Sequence, residues 1–448
     1  MPDHAISDDP AVQRQLDRLS LLSPGRDVLG LERINALLDR LGNPQDRLPP
    51  ALHVAGTNGK GSTCAFLRAA IEAAGLTCHV YTSPHLVRFN ERIRIAGQLI
   101  ADDALATLLE QVIDQAEGLD ASFFEVTTAV AFLAFARHPA DACIIEVGLG
   151  GRLDATNVLT RPLITAITHL GLDHEAFLLA PEDNVPAEPM ARIGFEKAGI
   201  AKQGVPLVVQ AFGEPADSAV AAQAEHVGAP LLARGKNWDI AVYEGQLHYR
   251  DAVGKLTLPL PRLTGAHQQE NAALAVAIAR HQNALAIPEP ALAAAMDWAH
   301  WPARLHRLGN GPLTRQAQQT EIWIDGGHNP LAAQQLSAWL KQQREQAPER
   351  KIHLVLGMLA NKDAEMMINA LAPHINRFTA IPVNGHACHA ADALKAMAEL
   401  AEVAEVAIAD DVAVALDHSD NPANELTLIA GSLYLAGDVL RLNDELPV

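Results

Sequence analysis

His53-Val54-Ala55-Gly56-Thr57-Asn58-Gly59-Lys60-Gly61-Ser62-Thr63 is the stretch on which the fold turns. A short apolar run, residues 52–55, leads into it, and an Ala-rich run, residues 62–74, leaves it and stops at Gly75. The first reads as a buried strand, the glycines as a turn and the last as a helix. That is the context a phosphate-binding loop requires. Glycines let backbone N–H groups face inward, the helix N-terminus adds partial positive charge, and a lysine reaches the terminal phosphates. Lys60 and the hydroxyls of Ser62 and Thr63 stand in those places, although strict spacing would put the first glycine at Val54. An ordinary glycine-rich turn is the plain alternative, but it has no need of that lysine and serine.

Outward from this unit the same rhythm recurs. Apolar runs at 78–82, 142–147, 163–168 and 206–210 are candidate strands, and 127–137 is a candidate helix. Ahead of the loop, Leu31, Ile34, Leu38 and Leu41 mark an amphipathic helix closed by Gly42. Continuously apolar strands alternating with helices predict an α/β fold with a mostly parallel sheet covered on both faces. Residues 231–260 read as a small antiparallel excursion, and 268–280 as a helix. A break falls at His300-Trp301-Pro302. Beyond it, strands at 322–325, 352–356, 378–382, 403–408 and 426–430 predict a second, Rossmann-like α/β domain. The expected domains are 1–302 and 303–448.

With 448 residues, the chain has length for two or three domains of roughly 150 residues each. A hydrophobic content of 49% excludes a disordered chain, and a net charge of −19 argues against nucleic acid as a partner. Four cysteines without a C-x-x-C pair argue against a zinc knuckle or dithiol site. The acidic start MPDHAISDDP does not read as a signal peptide, and no apolar run is of membrane-spanning length. A cytoplasmic protein with reduced thiols is expected.

Several strand ends carry chemistry. Glu146 closes the strand at 142–146 and precedes Val147-Gly148-Leu149-Gly150-Gly151-Arg152-Leu153-Asp154-Ala155-Thr156-Asn157. A carboxylate at a parallel strand's C-terminal edge beside a phosphate loop suits Mg²⁺; a surface Glu ending a strand is the alternative. The run Gly171-Leu172-Asp173-His174 follows another strand, where a lone His is more often structural than a ligand. Lys197, in Glu196-Lys197-Ala198-Gly199-Ile200, reads by itself as a solvated lysine. In the second half, Asp325-Gly326-Gly327-His328-Asn329-Pro330 packs Asp, His and Asn into one turn. Arg304 could reach a phosphate, and Lys362-Asp363 follows a further strand-end loop. Plain turns are the alternative for each.

Taken together, AGTNGKGST (55–63), TSPHLVRFNERIRI (82–95), FFE (123–125), EVGLGGRLDATN (146–157), GLDH (171–174), EKAGI (196–200), ENAALA (270–275), DGGHNP (325–330), LGML with KD (356–363) and GSLYL (431–435) resemble the folylpolyglutamate synthase/dihydrofolate synthase family, relatives of the Mur ligases. The resemblance implies a two-domain ligase that adds L-glutamate to dihydropteroate, to the tail of a tetrahydrofolate, or to both. It implies that Asn58, Gly59, Lys60, Gly61, Ser62, Asn271, Arg304 and Asp325 bind ATP. Ser62, Ser83, Glu146, His174 and Lys197 would hold Mg²⁺ at two sites, with Lys197 carbamylated and a monovalent cation nearby. Phe123, Phe124, Glu125, Leu153, Asp154 and Ala155 would hold the pterin, and His328 and Ser432 the incoming glutamate. By the same resemblance Lys60, His174, Lys197 and His328 would carry the catalytic roles, in a monomer.

A carboxylate is a poor electrophile. Taking the γ-phosphoryl group of ATP turns it into an acyl phosphate, which the glutamate amine attacks to give amide, ADP and phosphate. Closure of the second domain would keep water from the acyl phosphate. Three stretches depart from the family pattern: a longer, Pro-rich 175–193, Trp301-Pro302-Ala303-Arg304-Leu305 at the junction, and Leu22-Ser23-Pro24 near the start. A Mur-type ligase for a UDP-sugar peptide is the nearest alternative, but only about 50 residues precede the phosphate loop. An ATP-hydrolysing switch is a second alternative, and it would have no use for the polar loops of the second half.

Overall fold

The computed structural model describes residues 5–22, 29–317, 320–417 and 425–447, so Ser23 and Pro24 lie outside the described residues. Contacts divide the chain into two compact units. One comprises Met1–Arg262 with His267–His300, the other Leu263–Ala266 with Trp301–Val448.

In the first unit the strands are β1 (Ala51–Ala55), β2 (Cys78–Tyr81), β3 (Ile93–Ile95), β4 (Gln98–Leu99), β5 (Ala142–Glu146), β6 (Ile164–Ile167), β7 (Leu207–Val209) and β8 (Leu231–Ala233). They form one sheet in the order β4-β3-β2-β5-β1-β6-β7-β8. Only β3, near one edge, is reversed, so its pairings with β2 and β4 are the antiparallel ones. Every residue of β1, β2, β5 and β6 is buried, which is why these strands read as unbroken apolar runs. Val54 pairs with Glu146 and Ala55 with Ile167, so the segments leaving β5, β1 and β6 emerge side by side at one edge.

The helix after β1 spans Lys60–Ala73, and Ala266–His281 forms another long helix. A helix expected from 127 begins at Phe123 instead. Ser122 accepts from the Glu125 N–H while Glu125 accepts from the Ser122 N–H, a capping box that starts the helix one turn earlier. The antiparallel excursion is also shorter than expected. β8 pairs in parallel with β7 in the main sheet, and only β9 (Trp238–Tyr243), β10 (Gln246–Asp251) and β11 (Gly254–Pro259) form the meander. Three apolar residues at β8 are too few to show a period.

The second unit holds β12 (His306–Arg307), β13 (Glu321–Ile324), β14 (Lys351–Leu356), β15 (Arg377–Ala380), β16 (Glu405–Ile408) and β17 (Glu425–Ala430). Their order is β12-β13-β17-β14-β15-β16, parallel except for β12. The last strand inserts between β13 and β14, so the turns after Ile324, Ala430 and Leu356 lie together. Leu336, Leu354, Phe378 and Leu428 fill the core beneath. Among the described residues no helix is long and apolar enough to cross a membrane.

Candidate active site

Gly56-Thr57-Asn58-Gly59 turns out of β1 with φ of 148° at Gly56 and 90° at Gly59, values that favour glycine. Space requires glycine as well: a Cβ at Gly59 would stand 2.3 Å from Asn271 Oδ1, and one at Gly56 would overlap the Thr168 hydroxyl. The loop is fixed to the segment after β6. Thr57 and Asn58 donate their N–H groups to His169 O at 2.8 and 3.3 Å, and Thr168 Oγ1 donates to Asn58 O at 2.7 Å. The helix's own bonding begins at Thr63 N to Gly59 O, so the amides of Lys60, Gly61 and Ser62 precede its first bond. Lys60 Nζ curls back onto the carbonyls of Gly56 and Thr57, at 3.1 and 3.2 Å.

Behind the loop, His169 Nε2 lies 2.7 Å from Glu270, which also takes Arg234 at 2.7 Å. These partners hold the Glu270 carboxyl near 2 against the cost of its burial. Next to it Asn271 is buried, with Oδ1 lacking a hydrogen-bond partner.

Glu146, buried at the end of β5, stands beside Ser83, whose N–H lies 3.4 Å from its Oε2. Ser62 is buried in the first turn of the helix. No three His, Cys, Asp or Glu side chains converge among the described residues. A carboxylate at one strand end, with serines in the first helical turn after β1 and after β2, is nevertheless a hard-oxygen donor set of the kind that suits Mg²⁺.

The turn after β5 lies against the helix Pro189–Ala198. A Cβ at Gly151 would stand 2.9 Å from Glu196 O, and one at Gly199 would stand 2.4 Å from Arg152 Cβ, so two glycines let the backbones touch. Arg152 and Arg192 grip the buried Glu196 and also Glu182, which ties down the long segment after His174. Contrary to its reading as a solvated residue, Lys197 is buried, with Nζ 3.5 Å from Gly150 O. Burial, and then the charge of Lys60, lower its amine to about 7.

A cavity of about 230 Å³ opens beside these loops. Phe124, Glu125, Leu153, Asp154 and Ala155 line it, and Ser83, Arg92, Ser122 and His174 complete its wall. Phe124 stacks with Tyr81, ring centres 6.0 Å apart, and lies over Gly148. Glu125 accepts Arg33 Nε at 3.1 Å through Oε2, while its buried Oε1 has no hydrogen-bond partner. Phe123 is not part of this wall. Its ring meets Phe89 edge-on in the core and lies 5.6 Å beneath the guanidinium of Arg92. His174 is exposed, with φ of 53°, ahead of the short helix Glu175–Leu178.

In the second unit, buried Asp325 accepts from Leu305 N at 2.8 Å and Gly327 N at 2.7 Å. Burial raises its carboxyl, opposed by nearby Arg304. The Arg304 guanidinium packs over Gly326, and His328 Nδ1 lies 3.2 Å from Gly326 O. Ser432 is buried and caps the helix Leu433–Leu442 by accepting from Tyr434 N. Lys362 O bonds to His389 Nε2 at 2.8 Å.

Sequence reasoning gave no role to Arg92, His53, His169 or Glu270. Arg92 stands inside the quoted FNERIRI motif, where its alternation with apolar residues is the available signal. His53 looks like one polar residue in an apolar strand, which carries none.

Comparisons with known proteins agree over most of the chain. The model of the dihydrofolate synthetase C-terminal domain matches residues 312–442. The chain is 32% identical over 425 residues to the dihydrofolate synthase/folylpolyglutamate synthase of Bacillus subtilis, spanning 92% of this chain and 94% of that one. Escherichia coli FolC, solved in complex with DHPP and ADP, superposes with a TM-score of 0.84 at 31% identity, over 98% of both chains. A bifunctional folylpolyglutamate synthase/dihydrofolate synthase, solved with Mn, AMPPNP and L-glutamate, gives a TM-score of 0.80 at 30% identity, over 96% of this chain and 97% of that one.

Proposed function

Because the chain belongs to the dihydrofolate synthase/folylpolyglutamate synthase family of ATP-dependent glutamate ligases, we propose that its first unit seats the pterin acceptor in the cavity under Phe124. The acceptor is dihydropteroate, a tetrahydrofolate polyglutamate, or each in turn. One observation carries this reading: a pterin-sized cavity opens on the wall that holds Ser83 and His174, at the sheet edge from which the phosphate loop emerges.

The acceptor's carboxylate oxygen attacks the γ-phosphorus of ATP, and ADP leaves with the bond electrons. The glutamate amine then adds to the acyl phosphate, and phosphate departs as the amide forms. Lys60, released from Gly56 O and Thr57 O, and the helix amides of Lys60–Ser62 meet the phosphate charge. Mg²⁺, when bound, would supply positive charge against the transferring phosphoryl group. Ser62, Ser83 and Glu146 would hold it, and the orphaned Oδ1 of Asn271 supports a role beside the nucleotide. Arg304 and Asp325 are assigned to ATP, and His328 and Ser432 to glutamate, from their matching positions in the second unit.

Carbamylation of Lys197 fits its amine, which, lowered to about 7, is about half unprotonated at neutral pH and so nucleophilic toward CO₂. As a carbamate it would join His174 at a second divalent ion. The resemblance adds a monovalent cation and a monomeric state, and the net charge of −19 supports the absence of nucleic acid. Free thiols at all four cysteines support a cytoplasmic setting.

Phosphate release from ATP should require Mg²⁺, L-glutamate and a pterin acceptor together. A panel of dihydropteroate and tetrahydrofolate tests this directly. Release with a UDP-sugar peptide in place of every pterin would overturn the reading.

A further inference from the structure

His53 is fully buried in β1, yet its ring takes part in a chain of hydrogen bonds that ends in the cavity. Nε2 lies 2.8 Å from Thr156 Oγ1, and Thr156 Oγ1 donates to Asp154 Oδ1 at 2.5 Å. Asp154 lines the cavity and also accepts from Thr156 N at 3.0 Å and, through Oδ2, from Leu149 N at 2.8 Å. Nδ1 of His53 is buried with no hydrogen-bond partner.

We propose that His53 and Thr156 form a positioning relay that keeps Asp154 an ionised, acceptor-only group, so that the cavity selects the face of a ligand that presents N–H donors. This rests on the assignment of the cavity to the pterin acceptor and adds the two residues behind its carboxylate.

Proton counting carries the argument. A hydroxyl has one proton. If Thr156 gives it to Asp154, the Thr156 oxygen must accept from His53, which requires an Nε2–H. Nδ1 is then a bare lone pair, and a buried acceptor left unpaired costs less to the protein than a buried N–H left unpaired. Reversing the chain puts a proton on Asp154 Oδ1, turns the Thr156 hydrogen toward Nε2 and moves the ring hydrogen to Nδ1. That hydrogen then finds no acceptor, and a buried donor left without one bears the full cost of its lost hydration. Placing the carboxyl proton on Oδ2 sets it against the Leu149 N–H. The arrangement with a charged Asp154 is therefore the one the surroundings permit.

Burial alone would push Asp154 the other way, toward its neutral form. Its hydrogen bonds oppose that in part, and the carboxyl stays above its ordinary range, with Tyr81 and Lys197 the other titratable groups nearby. Arg92, Glu125 and His174 face the same cavity. Around His53, burial and the charge of Lys202 bring the ring down to about 3, so it stays neutral at any physiological pH.

Two measurements on the full chain test the relay. In ¹⁵N-histidine spectra, with His53→Gln used to assign the signal, His53 should be the neutral Nε2–H tautomer between about pH 5 and 8. An Nδ1–H ring or an imidazolium overturns the proposal, and this readout needs no ligand. In kinetics with dihydropteroate, Thr156→Val should lower acceptor kcat/KM about tenfold or more, leave the KM for ATP in place, and move the acid limb of the acceptor profile to higher pH. Thr156→Ser should restore all three. A Thr156→Val enzyme with the wild-type pH profile overturns the relay. If Thr156→Val does not fold, His53→Leu must show the same shift and His53→Gln, which keeps an N–H donor, a smaller one. A wild-type chain that responds to no pterin defeats the cavity assignment instead, and the tautomer measurement tells the two failures apart.

Discussion

The side-chain amine of Lys197 lies 3.5 Å from the backbone oxygen of Gly150, sealed under the turn that follows β5. Gly151 and Gly199 make the contact possible, since a Cβ at either would strike the opposing backbone or Arg152. Burial beneath that turn lowers the amine from 10.5 to about 7. The unfolded chain thus binds a proton that the folded chain gives up between those two values. Stability should therefore rise with pH across that window and be lowest below it. Lys197→Met should flatten this rise. Incubation with ¹³C-bicarbonate should label the wild type with one carbamate carbon and leave Lys197→Met unlabelled, as read by ¹³C NMR.

Gly148 sits under the ring of Phe124, and a Cβ there would come within 2.3 Å of Phe124 Cζ. Gly148→Ala should tilt or displace the ring from its stack on Tyr81. Acceptor KM should rise about fivefold, as expected for loss of an aromatic contact worth roughly 1 kcal/mol, while the KM for ATP stays within twofold. Initial rates at varied acceptor and varied ATP separate the two.

Glu270 anchors His169, whose carbonyl holds the amides of Thr57 and Asn58. Its carboxyl is depressed from 4.5 to about 2, so its contribution to stability is present above 4.5 and fades as pH falls toward 2. Glu270→Gln should melt lower than the wild type at neutral pH, with the difference shrinking in acid. The KM for ATP should rise more than kcat falls, because the residue acts through the loop.

Asp325 holds the amides of Leu305 and Gly327 while Ala303 and Leu305 sit at φ of 58° and 44°, which non-glycine residues rarely adopt. Asp325→Ala should cost the second unit about 2–4 kcal/mol, from two lost bonds to a buried carboxylate. Ala303→Gly should recover part of that by relieving one strained position. Denaturant melts of the single and double variants give both numbers.

Within the stretch at 123–125, reading by pattern could not separate two adjacent phenylalanines. Successive helix residues point about 100° apart, so Phe123 enters the core against Phe89 while Phe124 faces the cavity. Lys197 shows the same difficulty. Its burial depends on the turn at Gly150 and Gly151, 46 or more positions earlier in the chain, as well as on its neighbour Gly199. The phosphate loop, by contrast, was legible because strand, turn and helix are contiguous and each glycine serves its own backbone.

Local order explains what could be known beforehand: the alternation of apolar strands and helices, the loop at 56–62, the carboxylate of Glu146 and the polar turn at 325–330 all follow from residues close together in the chain. The three-dimensional arrangement alone decided that β5 and β6 flank β1, that His53 reaches Asp154 through Thr156, and that Glu182 is gripped by two arginines. Those relations depend on hydrogen bonds and packing between segments up to a hundred residues apart. Such contacts form only when whole elements have found their places, and no short window of sequence contains them.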